Sequence, residues 1–174
     1  MGELEAIARR VAALLVERRE TIAVSESSAG GLIAAALLAV PGASSYFLGG
    51  AVVYTAPARQ ALLGITQDEM SGIRSASEPY AQLLARVSRR RLGASWGLAE
   101  TGAAGPTGNR YGDAAGHACL AVSGAYEEVR TLETGSSDRV ANMRAFAIAA
   151  LALLEKDLLA RALLERASET RSHE

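Results

Sequence analysis

The chain has 174 residues, 49% of them hydrophobic and 21% charged, enough apolar material for one core and too little for two. Net charge is −1, from 18 basic and 19 acidic residues, so no global field draws in a polyanion and nucleic acid is not an expected partner. The lone cysteine, Cys119, excludes an internal disulfide, and its neighbours Ala118 and Leu120 place it in the core.

No run approaches the roughly 20 apolar residues that cross a bilayer, and the opening residues carry Glu3 and Glu5 where a signal peptide has a basic region. A cytoplasmic protein without membrane contact is expected. Lys156 is the only lysine among the 18 basic residues, and the arginines that make up the rest stay protonated and cannot act as bases.

From Leu4 the apolar positions Ile7, Ala8, Val11, Leu14 and Leu15 recur at helical spacing, and the charged run Glu17 to Glu20 ends the pattern. Thr21 to Val24 is β-prone. It is followed by the small polar run Ser25 to Gly31 and by an apolar helix from Leu32 to Val40, closed by Pro41-Gly42. Phe47 to Thr55 reads as a second strand in which Gly49-Gly50 marks a bulge or a close backbone approach. A short helix over Pro57 to Leu63 comes next.

Pro79 suits the first turn of a helix with Tyr80, Leu83, Leu84 and Val87 on one face, whose last turn holds Arg89-Arg90-Arg91 as a solvated end. Ser95 to Ala99 is a third strand, leading into a loop of small residues from Thr101 to Ala115. Two more strands, His117 to Val122 and Glu128 to Leu132, form an antiparallel hairpin through Ser123-Gly124-Ala125. A long helix starts at Ser137 or Asp138, both suitable caps, with Met143, Ala147, Leu151, Leu154 and Leu158 along its stripe.

This order implies an α/β fold, a three-layer α/β/α sandwich around a mixed sheet. One domain is expected over residues 1–164, with a frayed polar tail over 165–174. Ligands of such sheets bind outside the carboxyl ends of the strands, so the loops after Val24, Thr55 and Ala99 are the places for a site.

No Walker loop and no G-x-G-x-x-G fingerprint is present. Ser28-Ala29-Gly30-Gly31 at a helix start either presents backbone N–H groups to an anion or oxyanion, or caps the helix and lets it pack closely. Zinc is not expected, since His117, His173 and Cys119 are the only soft ligands. A Ser-His-Asp triad fails for the same lack of histidine, and His117 in its strand reads as structural.

Several motifs in one order carry a resemblance: Ser25-Glu26-Ser27-Ser28-Ala29-Gly30-Gly31, Pro41 to Gly50, Tyr54 to Arg59, Ser75 to Glu78, Thr101-Gly102-Ala103-Ala104-Gly105-Pro106, and Ser137-Asp138-Arg139. Together they resemble the CinA C-terminal domain family of competence-damage-inducible proteins and its stand-alone nicotinamide-nucleotide amidohydrolases, from about Leu4 to Leu159. The resemblance implies a cytoplasmic homodimer that deamidates nicotinamide mononucleotide to nicotinic acid mononucleotide and ammonia without metal or cofactor.

It also implies the machinery. By position, the family's serine, tyrosine and lysine fall on Ser45, Tyr54 and Arg59. Ser45 would attack the amide carbon, while the other two handle the proton and loop N–H groups hold the oxyanion. Substrate contacts are expected from Glu26, Ser27, Ser28, Gly30, Gly31, Thr101, Gly102, Gly105, Arg139 and Arg144. Glu26 either orients a substrate hydroxyl or caps backbone donors, and the two arginines are candidates for the phosphate.

The sequence departs from the family where chemistry is at stake. Arg59 replaces a lysine and cannot accept a proton, leaving it to tune Tyr54 or to bind phosphate. Ser28 and Ala29 replace Cys-Thr, Thr107-Gly108-Asn109 replace an Asp-Gly-Gly run, and Met143 stands where an arginine is usual, with Arg144 beside it. Two readings stay open, an amidohydrolase with an altered lining and a diverged ligand-binding or regulatory relative; a nucleic-acid accessory role is disfavoured by the net charge.

Overall fold

The computed structural model describes residues 2–171. Helix α1 (Glu3–Arg18) buries Leu4, Ile7, Ala8, Val11, Ala12 and Leu15, the stripe its sequence spacing specifies, and ends at Arg19 in the left-handed region. Strand β1 (Ile22–Glu26) is buried at every position. Helix α2 (Leu32–Leu38) and a 3-10 turn (Ala43–Ser45) lead into β2 (Phe47–Val52).

Helix α3 (Ala56–Leu63) starts at Thr55, whose hydroxyl accepts from the Ala58 N–H at 3.2 Å, and stops at Gly64. Helix α4 (Glu78–Leu92) has Ser77 as its cap, Pro79 in its first turn and Gly93 at its end. Strands β3 (Trp96–Ala103), β4 (His117–Ser123) and β5 (Glu127–Glu133) follow. Helix α5 (Arg139–Arg171) is capped by Asp138, whose carboxylate accepts from the Ala141 N–H at 3.0 Å.

The sheet order is β2-β1-β3-β4-β5, with β1 parallel to β2 and β3 and with β4 and β5 antiparallel. Helices α1, α2 and α5 pack one face around Trp96, Leu98, Leu120 and Phe146. Helices α3 and α4 cover the other, against Ala99, Cys119 and Ala121. The expected three-layer α/β/α sandwich around a mixed sheet is thus observed. The bulge expected near Gly49-Gly50 is present as well, since Ile22 pairs Phe47 while Ala23 pairs Gly49.

Two expectations change. Strand β3 runs to Ala103, so Thr101 and Gly102 lie in the sheet, paired with Cys119 and Ala118, and the small-residue loop starts later. Helix α5 continues unbroken to Arg171 where a frayed end was expected, and Glu165 is held by Arg18 at 2.8 Å and Arg161 at 2.9 Å. His173 lies outside the described residues.

Candidate active site

The parallel strands end on one side of the sheet, and there a cleft of about 630 Å3 opens between the β1, β2 and β3 ends and the segments 67–76 and 109–111. Of the expected site residues, Ser27, Tyr54, Arg59, Thr101 and Gly102 line it. Arg74, Tyr80, Arg110 and Tyr111 line it too and were not singled out from sequence. Among the described residues, three arginines and three tyrosines therefore face one space, and no Asp or Glu lines it.

The arginines differ in their partners. Arg74 is neutralised by a two-pronged ion pair to Asp113 at 2.6 and 3.0 Å, which holds that carboxyl below its usual range. Arg110 donates to the Tyr111 hydroxyl at 3.0 Å and lowers its pKa, and both Arg74 and Arg110 stack over the Tyr111 ring, 5.2 and 5.1 Å from its centre. Arg59 is only 6% exposed; it lies 5.8 Å over the Tyr80 ring and reaches Gln67 at 3.4 Å. Burial raises the Tyr80 phenol pKa, and the Arg59 charge opposes that rise.

Tyr54, 60% exposed at the cleft mouth, receives its hydrogen bond from Arg139 at 3.2 Å, not from Arg59. The expectation that Arg59 tunes Tyr54 is replaced by this geometry, because Arg59 turns inward from α3 toward Tyr80. Arg139 also donates to the Gly105 carbonyl, which places both expected residues behind the rim. Arg144 points to the other side of α5, 3.6 Å from Glu5 on α1, and has no part in the cleft.

Ser45 is not at the cleft. It lies in the 3-10 turn before β2, where its hydroxyl donates to the Gly42 carbonyl at 2.9 Å, whereas Tyr54 follows the far end of that strand. Six strand residues at about 3.3 Å each separate the two ends by roughly 20 Å. Within one chain Ser45 and Tyr54 do not form a catalytic pair.

The loop expected to offer N–H groups to a substrate spends them on two buried carboxylates. Glu26, at the end of β1, accepts from the N–H groups of Gly31 at 3.0 Å, Ile33 at 3.0 Å and Ala34 at 2.8 Å, and so caps the start of α2. Glu100, from the middle of β3, accepts from the N–H groups of Ser27 at 3.1 Å and Ala29 at 2.7 Å and from the Ser28 hydroxyl. Gly30 N–H goes to the Ser27 carbonyl at 3.2 Å. Gly30 and Gly31, with φ of 67° and 98°, make the turn that lets this happen.

Glu100 was missed by sequence reasoning. Full burial pushes its pKa up to about 7 despite three donors. A lone acid between Ala99 and Thr101 in an otherwise apolar or small-residue strand was the available signal.

The CinA C-terminal domain family model matches residues 4–158. The chain belongs to this family. The CinA-like protein of Prochlorococcus marinus (strain MIT 9313) is 43% identical over 120 residues, 69% of this chain and 28% of that protein. The CinA-like protein of Desulfosudis oleivorans is 38% identical over 156 residues, 88% of this chain and 38% of the relative. The chain thus spans about a third of the length of these CinA-like proteins.

Solved CinA structures match along nearly their whole length. The competence/damage inducible protein CihA from Agrobacterium tumefaciens superposes with a TM-score of 0.82 at 28% identity, covering 88% of this chain and 94% of that one. A CinA superfamily protein from Klebsiella pneumoniae gives 0.84 at 25% identity, covering 90% and 98%.

Proposed function

We propose that this CinA domain binds nicotinamide mononucleotide in the cleft and hydrolyses its carboxamide, giving nicotinic acid mononucleotide and ammonia. The observation that carries the reading is the lining: arginines for a phosphate, tyrosine rings for a planar heterocycle, and no carboxylate to repel an anion. The pyridinium ring makes the amide electron-poor and lowers the demand on the nucleophile.

Within one chain the nucleophile falls to Ser27, at the end of β1 in the cleft wall, with its N–H anchored by Glu100. Its oxygen bonds to the amide carbon, the C–N bond breaks, and its proton passes through the Tyr54 hydroxyl to the leaving ammonia. Water then releases the acid and restores the serine.

A second reading is favoured by a specific feature: among the described residues no lysine, histidine or carboxylate lines the cleft to act as a strong base beside Ser27. On that reading the same lining holds the nucleotide without turnover. The experiment is ammonia release from nicotinamide mononucleotide, with Ser27→Ala and Tyr54→Phe as controls and calorimetric binding in parallel. Release that both variants lose supports hydrolysis. Saturable binding without release leaves the binding reading alone, and neither binding nor release refutes both.

A further inference from the structure

Arg59 combines three properties that ordinarily exclude one another. It is only 6% exposed, and among the described residues no acidic side chain pairs with it and its Nε–H has no hydrogen-bond partner. A buried guanidinium without a counter-charge is strongly unfavourable. Its neutral partners are Gln67, to which Nη2 donates at 3.4 Å, and Tyr80, whose ring lies under its face and whose hydroxyl it also reaches. Nε and Nη2 share one edge of the guanidinium, the edge that grips a planar oxyanion with two parallel bonds. Arg59 also lines the cleft.

The geometry points to Arg59 as an oxyanion-binding residue at the cleft floor, completed by a carboxylate or phosphate of the ligand. The inference deepens the reading of the cleft as a nucleotide site and rests on it, but it does not require hydrolysis. Tyr80 and Gln67 hold the guanidinium in place before the ligand arrives, so little side-chain freedom is lost on binding. Arg74 is a poorer candidate because Asp113 already occupies both of its prongs. Arg110 stands at the exposed rim on Tyr111.

The test uses the full chain, with inorganic phosphate, nicotinamide mononucleotide and nicotinic acid mononucleotide as probes. Wild type is compared with Arg59→Met, which keeps apolar bulk without charge, and with Arg59→Lys, which keeps charge without the fork. Arg59→Met is expected to raise the melting temperature of the ligand-free protein, by roughly 2–4 °C for each kcal/mol of relieved burial, and to weaken anion binding roughly 10- to 100-fold. Arg59→Lys should fall between.

Equal loss for inorganic phosphate and both mononucleotides identifies the phosphate as the partner. Loss confined to nicotinic acid mononucleotide identifies the ring carboxylate. A lower ligand-free melting temperature with unchanged affinity for every probe makes Arg59 structural and overturns the inference while leaving the nucleotide reading intact. Arg59-dependent phosphate binding without affinity for either mononucleotide does the reverse.

Discussion

Arg139 Nη2 donates to the Tyr54 hydroxyl at 3.2 Å, so the phenol at the cleft mouth is partnered from α5, 85 residues away. Arg139 is in turn fixed by the Gly105 carbonyl. On the proposed mechanism Tyr54→Phe lowers kcat by roughly 10²- to 10⁴-fold, the range of a proton-transfer group. Arg139→Ala lowers kcat by a smaller factor with KM little changed, and the double variant is no slower than Tyr54→Phe alone. Steady-state ammonia release checks all three; full additivity would place the two residues in separate roles.

Ser45→Ala is expected to leave ammonia release unchanged, whereas Ser27→Ala abolishes it. The Ser45 hydroxyl is exposed and bonds only the Gly42 carbonyl, so its removal costs about 0.5–1 kcal/mol in denaturant unfolding. Lost activity in Ser45→Ala would require the serine of a second copy to enter the cleft, and mixing it with an inactive Tyr54→Phe chain would then restore turnover.

Glu100 makes stability depend on pH in a definite direction. Its folded pKa of about 7 lies above the ordinary 4.5, so the folded state holds the proton more tightly. The resulting stability is fullest below about pH 4.5, falls as pH rises to about 7, and stays level above. Asp157, pushed up to about 6 by burial and by Glu128, contributes with the same sign. The difference between wild type and Glu100→Gln isolates the first group: the variant should gain relative stability from pH 4.5 to 7 in urea titrations. A flat difference curve would refute the assignment. Glu100→Ala, by contrast, strands the donors of Ser27, Ser28 and Ala29 and should cost about 2–4 kcal/mol.

At Gly97 the backbone of α4 lies close against the sheet. A Cβ there would collide with the Ala85 carbonyl oxygen and sit 2.9 Å from the Arg89 Cβ. Gly97→Ala is expected to destabilise by about 1–3 kcal/mol, read as a lower midpoint in chemical unfolding. Gly42→Ala meets no atom within 4 Å, and any loss there comes from its φ of 86° alone.

The layers were legible because periodicity is a one-dimensional record of burial. The α1 stripe, the cap at Asp138 and the β4–β5 hairpin all stand where residue spacing places them. The site was legible only in part. Tyr54 and Ser27 reach the cleft because they follow parallel strands, and Thr101 because it lies on β3 just past its parallel pairing with β1. The orientation of Arg59 toward Tyr80 was not legible, since nothing local in the sequence tells which neighbour a long side chain meets. Ser45 failed for a related reason: only eight residues lie between it and Tyr54, but six of them form a strand that puts the two at opposite ends of β2. Glu26 and Glu100 consume the loop amides through contacts that span 5 to 73 residues.

That consumption has a thermodynamic consequence. With the amides from Ser27 to Ala34 largely committed to two carboxylates, an incoming anion meets side chains and not a rigid cradle of backbone. Immobilising an exposed arginine such as Arg110 costs roughly 0.5–1.5 kcal/mol of rotamer entropy. Association should therefore be driven by heat release and opposed by lost motion, with Arg59 already ordered before the ligand arrives.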